Sequence, residues 1–335
     1  MRWVVAAVFC ISTLPLCGAE TNAVCATCHP AEVKLHERTR MAHAMSPVFG
    51  SSFAQNLPGQ PLHESDGGYE FLFRLTLAGL NVTAQRGDDA AHGVIGWVLG
   101  AGAQGLTPII RTASGVREFR ISYFPALQTY GITVGQDGGA SPDANAALGA
   151  HQSRSTVEAC LGCHASAVTS NLDPVIPGVQ CIRCHPGADQ HALGHGKPFN
   201  PGKIAPPEQV RFCGNCHRNK PPVDDLQLEN LRFQPLRLMK SKCFASGKLA
   251  CTTCHPAHQD ARRRDAAGYD EKCQGCHSGA AGTIAHTDAR RNGDCIGCHM
   301  PYVQLHPALR FTDHYIRIVK AGDLPAEIVR VRPAS

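Results

Sequence analysis

Seven times this chain spells Cys-x-x-Cys-His: CATCH (25–29), CLGCH (160–164), CIRCH (181–185), CGNCH (213–217), CTTCH (251–255), CQGCH (273–277) and CIGCH (295–299). No other feature constrains the fold as strongly. Two thiols three residues apart can reach the two vinyl positions on one edge of a porphyrin. The adjacent imidazole can then swing under the ring to meet its iron. Zinc also uses Cys-x-x-Cys pairs, but zinc does not require a histidine after every second cysteine. A disulfide framework leaves the histidines unexplained. The motifs therefore predict seven covalently attached c-type haems. Their thioethers would form at Cys25, Cys28, Cys160, Cys163, Cys181, Cys184, Cys213, Cys216, Cys251, Cys254, Cys273, Cys276, Cys295 and Cys298. The proximal iron ligands would be His29, His164, His185, His217, His255, His277 and His299.

The 335 residues include 17 cysteines, 33 glycines and 23 prolines, with only 6% aromatics. Such a composition suits a loop-rich chain wrapped around a large cofactor better than one with a conventional core. Residues 1–19 read as a signal peptide, with Arg2, a short apolar run from Trp3 to Leu16, and Ala19 at a cleavage site. That segment removes Cys10 and Cys17, so Cys243 is the one mature cysteine outside a motif. No later run predicts a membrane span, since residues 94–110 are broken by glycines and a proline. Formal charge is +5. The basic run Arg262, Arg263, Arg264 reads as a solvated loop, and no concentrated basic face points to nucleic acid. Seven haems would add about fourteen propionate carboxylates, giving the lysines and arginines natural partners.

The first motif stands apart. The other six start 21, 32, 38, 22 and 22 residues from one another, room for one short helix and a loop between sites. Between the first motif and the other six lie YEFLFRLTLAGL (69–80), GVIGWVLG (93–100) and REFRISYF (117–124), which partly alternate like strands. The expected organisation is a signal peptide (1–19), a first haem-binding segment (20–65), a small β-rich region (66–135) and a six-haem domain (136–335). The expected fold class is mainly short α-helices and irregular loops around haems, with a small antiparallel β insertion, a multihaem cytochrome architecture.

Eleven histidines lie outside the motifs, and a low-spin electron-transfer haem needs a second axial ligand. His258, three residues after His255, is expected to cap a neighbouring haem. His43, His151, His191, His286 and His314 are the other main distal candidates. His36, His92, His195 and His306 compete for the remaining place, and Met41 or Met45 could serve the first haem. His63 reads as a surface residue.

Several stretches carry a family resemblance: CATCHPAEV with TRMAHAM, VLGAGAQGLTPI with SYFPAL, GVQCIRCHPGADQH, RFCGNCH, LRLMKSKCFASGKLACTTCHPAH and CIGCHMPYVQLHPALRFTDHYI. By these the chain resembles periplasmic multihaem cytochromes c related to the tetrahaem cytochrome of nitrifying bacteria, and more distantly hydroxylamine oxidoreductase and pentahaem nitrite reductase. The resemblance implies haem binding, electron transfer and bis-histidine ligation, with His258, His286 and His314 as ligands by motif position. A Cys-x-x-Cys-Lys site, the mark of the catalytic haem in the nitrite reductases, does not occur. Cys243 fits either a thiolate near one haem or a small buried thiol, and its packing suits the second. The leading expectation is an extracytoplasmic electron relay. It would have redox partner proteins: a quinol-oxidising complex, other cytochromes or a terminal reductase. The alternatives are an oxidoreductase for a small nitrogen or sulfur compound at one open haem, and a subunit of a larger conduit.

Overall fold

The computed structural model describes residues 18–57, 59–64, 68–136, 138–218, 228–262, 265–277, 294–320 and 322–324. The signal segment with Cys10 and Cys17, His286, and Arg263 with Arg264 lie outside or almost wholly outside these residues.

Ten strands occupy the first half: β1 (Met45–Pro47), β2 (Leu62–His63), β3 (Glu70–Thr76), β4 (Gly79–Arg86), β5 (Asp89–Leu99), β6 (Thr107–Thr112), β7 (Gly115–Glu118), β8 (Ile121–Phe124), β9 (Thr129–Ile132) and β10 (Ala150–His151). Eight of them form one antiparallel sheet in the order β10-β7-β6-β5-β4-β3-β2, with β1 also on β5. β5 is long enough to hold three neighbours. Its first half pairs with β4, its second half with β1 on the same edge, and β6 takes the other edge through a bulge between Ile95 and Trp97. β8 and β9 form a separate hairpin.

The alternation that makes these strands also gives them a face. Leu80, Val82 and Ala84 of β4 and Ala91 and Ile95 of β5 are buried, while His92 is exposed. The buried face meets Phe53, Tyr69, Phe71 and Phe119, and the Phe119 ring meets Phe53 and Phe71 edge to face at centroid distances of 6.2 and 5.5 Å. This overturns the expected fold class. The sheet is no small insertion in a helical chain. It recruits β1 and β10 from outside the region that reads as strand, and it builds a side-chain core of its own. The few aromatics are concentrated there, so the β half needs no cofactor to bury apolar surface.

The second half is short helices and two small hairpins, Ala165–Val168 with Pro174–Pro177 and Tyr302–His306 with Leu309–Thr312. Several contacts tie it to the sheet, among them the Arg111–Asp173 ion pair at 2.5 Å. The Ala44 carbonyl, just before β1, accepts both Gly100 N at 2.9 Å and His164 Nδ1 at 2.8 Å. Gln104, after β5, exchanges two hydrogen bonds with the Arg310 backbone, at 2.6 and 3.1 Å.

Candidate haem-binding cavity

Each motif is one helical turn. The motifs sit at the ends of Gly18–Ala26, Arg154–His164, Pro206–His217 and Ala266–His277, or form the short helices Cys181–Cys184, Cys251–Cys254 and Cys295–His299. The i, i+3 spacing brings both thiols of a motif to one helix face. An i→i+4 bond closes the turn, as in His29 N→Cys25 O at 2.8 Å, His185 N→Cys181 O at 2.9 Å and His255 N→Cys251 O at 3.0 Å. Local caps start the helices that carry the motifs: Ser153 Oγ accepts Thr156 N, and Asp294 accepts Gly297 N.

All seven motifs line a single cavity of about 3340 Å³. A drug-sized ligand site is about 300–1,000 Å³. Every described cysteine is a free thiol.

Thiols of different motifs approach one another, which fixes the motifs' order in space. Cys25 neighbours Cys181, whose thiol also donates to Asn22 Oδ1 at 3.3 Å. Cys184 neighbours Cys213, Cys213 neighbours Cys251, Cys254 neighbours Cys273, and Cys273 neighbours Cys295. Cys163 meets Cys216 in a hydrogen bond that raises Cys163 and lowers Cys216 to about 6. The sites therefore run first, third, fourth, fifth, sixth, seventh, with the second beside the fourth. Side chains brace these contacts. Gln209 accepts Thr252 Oγ1 at 2.9 Å between the fourth and fifth sites. Asp270 accepts Cys295 N at 2.8 Å between the sixth and seventh.

The imidazoles are held in a particular tautomer. A carbonyl oxygen only accepts, so a ring nitrogen bonded to one carries the hydrogen, and the other nitrogen of a neutral ring has its lone pair free. His164 donates from Nδ1 to Ala44 O, His185 to Phe199 O at 3.0 Å and His299 to Arg317 O at 2.9 Å. His191 donates to Gly196 O at 2.9 Å and His314 to Thr312 O at 2.9 Å. His255 Nδ1 meets the Tyr269 hydroxyl at 3.2 Å. The five rings bonded to carbonyls present Nε2, the nitrogen a motif histidine offers to iron. Burial lowers the His314 pKa to about 4, keeping that ring neutral, and lowers His217, His255 and His258 as well.

Three motif rings face a second imidazole. Ring centroids are 6.5 Å apart for His29–His191, 6.2 Å for His185–His258 and 6.2 Å for His255–His314. Two imidazoles sharing one metal, each with a nitrogen about 2 Å from it, have ring centres about 6 Å apart. His36 is a fourth non-motif imidazole on the cavity wall. It is 8% exposed, and its Nδ1 has no hydrogen-bond partner.

The remaining candidates lie elsewhere among the described residues. His43 is exposed and donates from Nε2 to Glu37 O at 2.7 Å. His306 accepts Ala308 N at Nδ1, which leaves the hydrogen on Nε2, and its ring packs on Phe124. His92 is bonded across the sheet to Thr83, His151 is exposed on β10, His195 is exposed, and His63 pairs with Glu70. Met41 lines the cavity, while Met45 is buried against Val157 and Leu161. Cys243 also lines the cavity.

The wall carries eleven lysines and arginines against Glu32, Asp260 and Asp294 among the described residues. A group bearing carboxylates fits such a wall. So do its paired thiols and its Nε2-presenting imidazoles, and the residues present fit c-type haem.

In fold, the chain is similar to the outer cell wall cytochrome OcwA. That solved structure superposes with a TM-score of 0.50 at 14% identity, over 90% of this chain and 80% of the other. No family model matches the chain. No curated protein matches it. At this identity the likeness to OcwA is one of fold, and OcwA carries the word cytochrome in its own name. Among the described residues, no helix is long and apolar enough to cross a membrane.

Sequence reading misses the residues that hold the rings. Backbone acceptors such as Phe199 O, Gly196 O and Arg317 O leave no side-chain signal, and nothing in the sequence marks Tyr269 as the partner of His255. One position is legible from conformation. Gly178 has φ +73°, donates to His164 O at 3.0 Å, and lies so close to the Ala42 carbonyl that a methyl group would run into it. Gly178→Ala is expected to cost more than about 1 kcal/mol and to displace the second motif from the 39–45 stretch. Denaturant unfolding checks the first effect, and the haem content of the purified variant checks the second.

Proposed function

We propose that this protein is a heptahaem c-type cytochrome that relays electrons between redox partners outside the cytoplasm. The observation that carries the reading is the set of three facing imidazole pairs about 6 Å apart, inside a cavity that all seven attachment motifs line. Bound haem would supply reversible one-electron chemistry at iron. The chain's own residues do the rest. The fourteen motif cysteines tether, and the seven motif histidines ligate from the proximal side. His191, His258 and His314 cap the first, third and fifth sites. His36 is a further distal ligand. Backbone carbonyls fix the tautomers of His164, His185, His191, His299 and His314, and lysines and arginines neutralise propionates. Residues 20–65 and 136–335 form the haem-binding parts, and the stretches shared with the tetrahaem-cytochrome family fall mainly in them. Electron donors and acceptors, among them a quinol-oxidising complex, another cytochrome or a terminal reductase, would dock near the ends of the motif order. There the thiols of Cys28, Cys276 and Cys298 are exposed.

A second reading has one observation in its favour. His164, His217 and His277 make no ring contact with another imidazole among the described residues. An iron left open there could turn over a small nitrogen or sulfur compound. One experiment separates the readings. The secreted chain is expected to carry seven haems by mass and by pyridine haemochrome, with EPR of the oxidised form dominated by low-spin signals. A high-spin fraction of one site or more moves the case to the enzyme, and a chain without covalent haem ends both.

A further inference from the structure

Two of the stretches that resemble the cytochrome family, LRLMKSKCF and LRFTDHYI, each contain residues that tether no cofactor, yet they interlock. Asp313 is fully buried. Arg237 grips it with two parallel bonds, Nε to Oδ1 at 2.8 Å and NH2 to Oδ2 at 2.7 Å, and Arg317 adds a third at 2.7 Å. Tyr315 N donates to Oδ1 at 3.0 Å, and its ring lies 5.5 Å from the Arg237 guanidinium and 4.6 Å from that of Arg317. Ser241, 1% exposed, donates to His314 O and accepts Ile316 N. Every residue from Asp313 to Arg317 is thus held by this cluster. Two imidazoles hang from the same strap. His314, which faces His255, is part of it. His299 of the seventh motif donates its Nδ1 to the Arg317 carbonyl.

We propose that the Asp313–Arg237–Arg317 cluster is a positioning device that fixes iron ligands of two different sites together, His314 of the fifth and His299 of the seventh. The inference rests on the haem reading above but assigns these three residues a role that reading does not need. A buried carboxylate held by two guanidiniums is a poor way to gain stability, because desolvation offsets most of the attraction. It is a good way to fix geometry, since the bidentate fork admits one orientation. A carboxylate beside the fifth site also favours the more positive, oxidised form of a metal there.

The test is Asp313→Asn in the full haem-loaded chain, with Arg317→Gln as the second variant. The readouts are haem content, EPR and a redox titration. The expected result is unchanged haem content with signals from two centres altered. Their midpoint potentials rise in Asp313→Asn, and the others hold. Arg317→Gln should move the same two centres, and Arg237→Lys, which keeps the charge but cannot form the two-pronged bond, should alter the EPR signals of those two centres while holding their potentials near the parent's. A variant that melts lower but keeps every signal and potential overturns the proposal, because the cluster is then packing alone. An equal change at all centres overturns it as well. If Asp313→Asn does not fold, Arg317→Gln decides by the same criteria. A parent chain lacking covalent haem overturns the proposed function instead.

Discussion

Replacing His258 by alanine is expected to turn one low-spin centre high-spin while leaving seven haems attached. The half-buried ring of His258 faces His185 at 6.2 Å with an interplanar angle of 33°. Burial, followed by the nearby His185, lowers its pKa and favours the neutral ring. The tether at Cys181 and Cys184 and the anchor from His185 Nδ1 to Phe199 O are untouched by the substitution. Attachment should therefore proceed, and the loss should appear at one iron. EPR should gain a high-spin signal of one centre per chain, and the reduced variant should bind one more carbon monoxide than the parent. His43→Ala is the matched control, since that ring is exposed and already spends Nε2 on Glu37 O. A His258→Ala protein with the parent's spin count, or a His43→Ala protein that shows the same gain, would falsify the assignment.

The contrast between these two histidines shows what a sequence can carry. The motifs are legible because covalent chemistry demands fixed residues at fixed spacing. That His258 turns toward a motif other than its own is also legible. The helix Cys251–Cys254 ends at His255, whose extended backbone (φ −117°, ψ 123°) sends the chain away. Which motif it faces is not legible, because His185 is distant in sequence and the meeting depends on how the third and fifth motifs pack. His43 sits as favourably in sequence, two residues from Met41 and Met45, and only the Glu37 carbonyl shows that its ring is engaged from Nε2. The same limit applies to the fold. Residues 69–124 alternate clearly enough to read as strands. β1 and β10, of three and two residues, carry no periodicity and exist because β5 and β7 have free edges beside them. Composition misleads here for a physical reason. A low aromatic content averaged over the chain hides that Phe53, Phe71, Phe73 and Phe119 come together in one place.

That separate core sets up the largest expected effect on stability. Glu64 and Arg120 are both buried, with side chains 0% and 7% exposed, and they form an ion pair under the sheet. Glu64 also accepts Ser141 Oγ at 2.6 Å, Ser141 N at 3.2 Å and Tyr69 N at 3.2 Å. Arg120→Ala leaves that carboxylate buried without its counter-charge, and is expected to cost about 3–5 kcal/mol. The double variant Arg120→Met with Glu64→Gln removes both charges and should recover most of the loss, because an apolar or neutral pair avoids the desolvation penalty. The pH dependence has a defined sign. Burial acts to raise the Glu64 pKa, but the Ser141 hydroxyl, the Tyr69 and Ser141 amides and Arg120 outweigh it, so the folded value lies below the ordinary one. The unfolded state then binds its proton first as pH falls. Stability from this group is complete above the ordinary glutamate pKa of about 4.3 and drains away as pH drops through the lower folded value. Urea unfolding followed by far-UV circular dichroism, at pH 7 and across the range below 4.5, measures both effects. If Arg120→Ala unfolds at the parent's midpoint, or if its acid sensitivity matches the parent's in full, the pair is not what holds the β2–β3 corner to the rest of the sheet.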